Sequence, residues 1–487
     1  MSDLPELDLT PEQFRTLGYR AVDLIAAQLA ALPTAPARNP MTDEARHQLM
    51  EQVLPETGTD PADLLEAVGA DILPYPMGNI SPRFFGWVNS PAAPLGILAE
   101  MLAAALNSSV AGGDHGATYV EHAVLRWLKT LLGFPESSGA LLVSGGSMAN
   151  LTALAVMRYC KSKGQIRVQG FAAEPMPMVI YTSTQGHSCI EKAVETLGFG
   201  HENLRKIPVD ADFRIDLAAL RAQIEADRAA GLRPVCVAAN AGTVNTGAID
   251  SLLELADLCS EFELWFHIDG AYGGIGTLAE SVHHLYAGLE RADSIAIDPH
   301  KWMYAPVECG AVFVRDAQAM RDTFSLVPPY LRDDKALPWF SEFGLQQTRG
   351  FRALKLWLTI QQIGRSGYRD LIERDIALAH ALQAKIAGRP RFELMAAGPL
   401  SISCFRYFPA DFPDDVATQN TFTRQLVAAV QRDGRVFLTS TDLRSVTVLR
   451  ACIVNFRTTE ADLDMLLDVI SEIGQSLSTQ NPEIATG

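Results

Sequence analysis

Short aliphatic runs alternate with longer amphipathic stretches between about residues 80 and 320, and this pattern constrains the fold more than any other feature. The runs are rich in Val, Ile and Leu, as is typical of strands buried on both faces of a sheet. Their alternation with helical stretches predicts an α/β fold, with a mostly parallel central sheet and helices on both faces. The predicted strands are residues 140–143, 178–181, 234–238, 264–268, 294–297 and 311–314.

The flanking segments predict two smaller parts. Thr10, Pro11 and Gln13 form a helix start, with an N-cap, a proline at the first helical position and a capping-box glutamine. A proline-rich joint separates this helix from a second helical stretch, so we expect a helical arm at residues 1–80. The large α/β domain then covers residues 81–370, and mixed helix and strand patterns predict a small α+β domain at residues 371–487.

Composition excludes several classes of function. The formal net charge of -17 argues against nucleic acid or an anionic membrane as a partner, because both need a basic surface. The seven cysteines include no C-x-x-C pair, so neither a metal site nor a disulfide framework is predicted. The acidic N-terminus lacks the apolar stretch of a signal peptide, and we expect a soluble, cytoplasmic protein.

A glycine turn follows the first predicted strand, at the place where open α/β sheets bind ligands. Residues 144–147 read Ser-Gly-Gly-Ser and lead directly into an apolar helical stretch. Such a turn presents free backbone N–H groups and the positive end of a helix dipole, which suits a phosphate. Glycines that only permit tight packing are the alternative.

Polar residues also follow the other strands. Asp269 ends an apolar strand and needs a cationic partner, which could be a protonated pyridine nitrogen or an arginine. Lys301 lies between His300 and Trp302, and a desolvated lysine amine in such surroundings is a candidate nucleophile. His187 follows a further strand and by itself could be structural. In combination, these residues predict a site for pyridoxal phosphate (PLP).

Three motifs resemble those of the group II PLP-dependent decarboxylases, which include aromatic L-amino-acid, histidine, tyrosine and glutamate decarboxylases. They are Asp-Pro-His-Lys-Trp at 298–302, His-Ile-Asp-Gly-Ala-Tyr at 267–272 and Gln-Gly-His-Ser at 185–188. The resemblance covers nearly the whole chain and is nearest to the aromatic-acid branch. It implies fold type I, the aspartate-aminotransferase-like fold, and PLP as the cofactor, with no metal.

The resemblance also implies roles for individual residues. Lys301 would bind the cofactor covalently, Asp269 would pair with its ring nitrogen, and His187 would stack on the ring. Thr243 would lie near the face of the ring and Ala271 against its other side.

The phosphate would be held by Ser147, the backbone of Met148 and His300. Met148 departs from the aromatic-acid branch, which often has a serine there. Thr348 would contribute a backbone contact across a dimer interface. We therefore expect an obligate homodimer whose active sites lie at the interface. The helical arm is expected to take part in dimerisation.

Tyr330 is the candidate general acid for protonating the substrate Cα after CO₂ leaves. It lies in a proline-bounded polar segment that reads as a mobile lid, although a plain surface loop would have the same composition. The resemblance places such a tyrosine on a catalytic loop of the partner subunit. Related aldehyde synthases replace this tyrosine or the stacking histidine, so Tyr330 and His187 favour simple decarboxylation.

Two further alternatives stay open. Arg450 and Arg457 in the C-terminal domain could hold a substrate carboxylate, as a transaminase requires. A PLP-binding protein without turnover is the more remote alternative.

The substrate is expected to be an aromatic L-amino acid. Trp87, Val88 and Ser90 lie in an aromatic-rich segment that resembles the substrate pocket of the aromatic-acid enzymes, although core packing would also explain the aromatic residues. Arg83 would suit an acidic substrate, and Asp114 would suit a cationic one.

Overall fold

The computed structural model describes residues 7–326 and 337–480. Its N-terminal part consists of helices Pro11–Ala31 (α1), Asp43–Met50 (α2) and Pro61–Ala67 (α3), the last continuing into a π-helical turn at Val68–Ile72. The capping box of α1 is confirmed, since the Thr10 hydroxyl accepts from the Gln13 N–H and the Gln13 amide oxygen accepts from the Thr10 N–H. None of these three helices contains a buried residue.

A seven-stranded sheet forms the centre of the large domain. Its spatial order is β1-β7-β6-β5-β4-β2-β3, and all neighbours are parallel except β7, which runs antiparallel to β1 and β6. This mostly parallel sheet confirms the predicted α/β class. The strands are Gly139–Val143 (β1), Met178–Ser183 (β2), Leu204–Ile207 (β3), Arg233–Asn240 (β4), Trp265–Asp269 (β5), Ser294–Ile297 (β6) and Gly310–Val314 (β7).

Helices cover the sheet and bury its aliphatic side chains in one large core cluster. Nearly every residue of β1, β2 and β4 to β7 is buried, which explains why these strands read as continuous apolar runs. The helices are Pro94–Leu106 (α4), Gly116–Leu132 (α5), Gly146–Lys161 (α6), Gln165–Gln169 (α7), Ser188–Thr196 (α8), Leu217–Ala229 (α9), Leu252–Glu261 (α10) and Ala317–Phe324 (α11).

The C-terminal part is built on a four-stranded antiparallel sheet of order β10-β11-β9-β8 with its own apolar cluster. Its strands are Phe392–Ala397 (β8), Ile402–Tyr407 (β9), Thr439–Leu443 (β10) and Val446–Cys452 (β11), and its helices are Val416–Asp433 (α13) and Glu460–Gln480 (α14). The long helix Ala353–Gly388 (α12) joins the two parts and is interrupted by non-helical backbone at Gly364. The predicted boundary at residue 370 falls inside this helix. Among the described residues, no helix combines the length and apolarity needed to cross a membrane.

Candidate active site

A cavity of about 560 Å³ opens at the carboxyl ends of β1, β2, β4, β5 and β6. This size suits a cofactor together with a small substrate. A larger cavity of about 820 Å³, around Phe213 and Met395, contains none of the predicted site residues that the structure describes. Nine of those residues line the smaller cavity: Trp87, Val88, Ser147, Met148, His187, Asp269, Ala271, His300 and Lys301.

The glycine turn after β1 forms one wall of this cavity. Gly145 caps α6 and Gly146 is its first residue, so the free N–H groups of the first turn of the helix lie beside the cavity. A Cβ on Gly146 would lie 2.8 Å from Asp298 Oδ2 and 2.9 Å from the Ala271 Cβ. Glycine is therefore required at position 146, because any side chain would fill the part of the cavity in front of the first turn of α6.

Lys301 projects from the loop after β6 and is 23% exposed. Its Nζ lies 3.2 Å from Oδ2 of the buried Asp298. The other carboxylate oxygen of Asp298, Oδ1, has no hydrogen-bond partner. His300 lies beside this pair, with Nδ1 2.8 Å from the Cys309 carbonyl oxygen, and burial lowers the pKa of His300.

Asp269 and His187 also line the cavity. Oδ1 of Asp269 accepts from the Ala271 N–H at 3.1 Å, and Oδ2 lies 3.7 Å from the Cys189 sulfur. His187 is the N-cap of α8, and its Nδ1 accepts from the Cys189 N–H at 3.2 Å. Burial lowers the pKa of His187, so its ring is neutral at neutral pH and carries its proton on Nε2.

These groups fit PLP. The helix start at Gly146 can hold a phosphate, and the buried carboxylate of Asp269 can meet a protonated ring nitrogen. The neutral ring of His187 can stack on a flat heterocycle, and the Lys301 amine can bind an aldehyde. The unpartnered Oδ1 of Asp298 lies next to the same cradle.

Residues 44–408 match the family described as the pyridoxal-dependent decarboxylase conserved domain. The chain belongs to this family. It is therefore a PLP-dependent carboxy-lyase, and the predicted family, cofactor and fold type are confirmed.

Individual relatives resemble the chain over almost its whole length. An aromatic-L-amino-acid decarboxylase of Bacillus atrophaeus is 36% identical over 98% of this chain and 99% of its own. An L-2,4-diaminobutyrate decarboxylase of Rhizobium meliloti is 33% identical over 96% and 93%. The crystal structure of Catharanthus roseus tryptophan decarboxylase in complex with L-tryptophan superimposes with a TM-score of 0.86 at 26% identity, covering 97% of this chain and 100% of that one.

Three predicted residues of this decarboxylase do not line the cavity. Ser90 is buried behind the wall, where its hydroxyl donates to the His300 carbonyl at 3.1 Å. Thr243 turns its hydroxyl into its own loop, accepting from the Ala248 N–H at 3.1 Å. Thr348 is exposed on the single chain. In this structure the Ser90 side chain supports the loop that contains Lys301, and its contact with substrate stays a prediction.

Two of the three arginines that were candidates for substrate binding donate to backbone carbonyls. Arg450 donates to the Val244 carbonyl at 2.8 Å and to the Trp87 carbonyl at 2.9 Å, so it joins two loops of the cavity wall. Arg83 donates to the Ala35 carbonyl, away from the cavity. The described contacts therefore give no support to Arg83 as a ligand for an acidic substrate. Tyr330 lies outside the described residues.

Sequence reasoning missed several groups at the site. Cys189 and Tyr272 line the cavity, and Cys189 contacts Asp269. The carboxylate of Asp298 was read only as part of a motif, although it pairs with Lys301. The i, i+3 spacing of Asp298 and Lys301 could have indicated that pair, whereas nothing local to Cys189 indicates its contact with a residue eighty positions away.

Proposed function

We propose that this enzyme decarboxylates aromatic L-amino acids to the corresponding amines and CO₂. The observation that carries the proposal is Trp87, whose half-exposed indole lies in the cavity wall. Its ring contacts Phe84 and Phe437 at centroid distances of 6.0 and 5.3 Å. An aromatic substrate would stack on this surface with a gain of about 0.5–1.5 kcal/mol beyond area burial.

The backbone at Trp87 supports a role in function. Its φ is +47°, a region that favours glycine and that an indole residue rarely adopts. Residues held in such a conformation cluster at ligand sites. Arg450 holds the Trp87 carbonyl, so the position of the indole is coupled to the loop that contains Val244.

PLP, when bound, supplies an electron sink for the pair of electrons that CO₂ leaves on the substrate Cα. Asp298 Oδ2, next to the Lys301 amine, is placed to hold the proton that this amine loses when it acts as a nucleophile. Asp269 would hold a proton at the ring nitrogen, and the flat ring of His187 would exclude water from one face. We assign Cα protonation to the Tyr330 hydroxyl on sequence grounds.

A homodimer is part of the proposal. Large apolar side chains are exposed on the N-terminal helices and on α4, among them Phe14, Tyr19, Met101 and Leu102. Exposed apolar surface of this extent is typical of a subunit interface. A second subunit would bury this apolar surface and bring Thr348 and the segment that contains Tyr330 to the neighbouring cavity.

We propose that the chain has three functional units: the arm at 1–80, the large domain at 81–370 and the small domain at 371–487.

A competition assay tests the proposal. The PLP-loaded enzyme receives an equimolar mixture of the twenty amino acids, dihydroxyphenylalanine and 2,4-diaminobutyrate, and the amines, aldehydes and peroxide formed are quantified. We expect amines of aromatic acids to dominate, with Trp87→Ala lowering that preference about 2- to 10-fold. Preferred release of 1,3-diaminopropane would support a diaminobutyrate decarboxylase, and stoichiometric aldehyde and peroxide would support an aldehyde synthase; either result would contradict the proposal.

A further inference from the structure

A buried series of hydrogen bonds crosses the large domain and ends on the carboxylate of Asp269. Trp265, His267 and Asp269 alternate along β5, so their side chains lie on the same face of the sheet. Side chains from β6, α6 and α8 connect them. The buried members, in order from the far end, are Trp265, Ser294, His267, Asn150, Cys189 and Asp269.

The contacts are continuous. The Trp265 indole nitrogen lies 2.8 Å from Ser294 Oγ, which lies 2.8 Å from His267 Nδ1. His267 Nε2 lies 2.7 Å from Asn150 Oδ1. The Asn150 amide nitrogen lies 3.2 Å from Cys189 Sγ, which lies 3.7 Å from Asp269 Oδ2.

The two ends set the direction of every bond in this series. An indole N–H only donates, and an ionised carboxylate only accepts. The Ser294 hydroxyl therefore donates to His267 Nδ1, and the Nε2–H of His267 donates to Asn150. Burial lowers the pKa of His267 to about 4, so its ring is neutral, as this arrangement requires. The Asn150 amide then donates to Cys189, whose thiol donates to Asp269.

We propose that Cys189, Asn150, His267 and Ser294 are positioning residues that hold the Asp269 carboxylate oriented toward the ring nitrogen of the cofactor. The Cys189 thiol supplies a donor to Oδ2, while the Ala271 N–H supplies one to Oδ1. A donor to each oxygen fixes the orientation of the carboxylate, which can then accept the N–H of a protonated ring nitrogen. This inference rests on the role proposed above for Asp269.

Cofactor affinity separates this role from a merely structural one. Apoenzyme is titrated with PLP and with an analogue in which carbon replaces the ring nitrogen, and quenching of tryptophan fluorescence gives both dissociation constants. The variants are Cys189→Ala, which removes the thiol donor, and Cys189→Ser, which replaces it with a hydroxyl. Ser294→Ala tests the far end, and the unfolding midpoint of each apoenzyme checks its fold.

We expect Cys189→Ala to weaken PLP binding about tenfold, while affinity for the analogue changes less than about twofold. Cys189→Ser should restore PLP affinity, and Ser294→Ala should weaken PLP binding by a smaller factor than Cys189→Ala. If Cys189→Ala loses affinity equally for both ligands, or loses none for either, the proposed role of these hydrogen bonds is wrong. If the wild-type enzyme and Asp269→Asn do not differ in their preference for PLP over the analogue, the role of Asp269 itself fails, and the inference fails with it.

Discussion

At the scale of single residues, the space in front of α6 depends on one missing side chain. Gly146 starts the helix between Asp298 and Ala271, both of which lie closer to a hypothetical Cβ than van der Waals contact allows. Neither neighbour is the end of a long flexible side chain. The cradle can therefore exist only with glycine at this position.

Gly146→Ala should lower PLP affinity at least about tenfold, because the added methyl group forces Asp298 or Ala271 into the cavity. Fluorescence titration of the apoenzyme with PLP measures the effect. Gly388→Ala is the matched control, since Gly388 ends α12 in open space and its substitution should leave PLP affinity unchanged. Equal affinities of the two variants would show that the cradle tolerates a side chain and would contradict this account.

The candidate site was predictable from sequence to the extent that it lies at strand ends. Asp269 ends one apolar run and Lys301 lies four residues after the end of another, and parallel strands bring their carboxyl ends to one edge of the sheet. No comparable sequence pattern predicts which way the hydroxyl of a loop residue points. Thr243 and Ser90 illustrate this, because each meets backbone groups that only the folded loops bring near.

At the scale of secondary-structure elements, one carboxylate joins the Lys301 loop to α12. Oδ2 of Asp375 accepts from the Trp302 indole at 2.9 Å and from the Tyr304 hydroxyl at 2.7 Å. Trp302 also stacks on Tyr272 at a centroid distance of 5.2 Å. Burial raises the pKa of Asp375 from 3.8 to about 7, so this carboxyl changes charge near neutral pH.

The sign of this shift predicts a pH-dependent loss of stability. Between about pH 4 and 7 the unfolded chain releases the Asp375 proton while the folded chain keeps it, so the free energy of unfolding falls as pH rises. Relative to Asp375→Asn, the wild-type protein should lose about 1–3 kcal/mol over this range. Urea unfolding at several pH values measures the difference.

The exposed Asp370 on the same helix provides the control. Asp370→Asn should unfold with the pH profile of the wild-type protein. If Asp375→Asn also follows that profile, the carboxyl of Asp375 does not titrate in this range and the expectation is wrong.

The elements themselves were predictable to different degrees. Strands β1, β2 and β4 to β7 are apolar over their length because both faces are buried, and all six were found, including β1 at one edge of the sheet. β3 was missed because Arg205 and Lys206 at its centre are not buried and interrupt the apolar run. In the C-terminal sheet, β8 and β10 were not predicted either, since most of their residues are partly buried or exposed.

At the scale of the whole molecule, the N-terminal helices lack a core of their own. They contain no buried residue, and several of their large apolar side chains, among them Phe14 and Tyr19, are exposed. Such helices gain stability only by packing against another surface. The rest of the single chain offers these helices too little surface to pack against, which is why a second subunit is part of the proposed function.

A chain that begins at residue 80 should therefore fail to dimerise and should lose its decarboxylase activity. Analytical ultracentrifugation gives the oligomeric state, and amine release gives the activity. The full-length enzyme at the same concentration serves as the control, with a dimer as the expected result. A soluble, active monomer from the shortened chain would contradict the proposed role of the arm.

The attachment of the cofactor tests the account most directly. Reduction of the PLP-loaded enzyme with borohydride makes the bond between a lysine amine and the cofactor aldehyde permanent, and peptide mass spectrometry then locates the modified residue. We predict the reduced cofactor on the peptide that contains Lys301 and its absence in Lys301→Ala. A cofactor trapped on another lysine, or a Lys301→Ala enzyme that retains both trapping and full activity, would contradict the account.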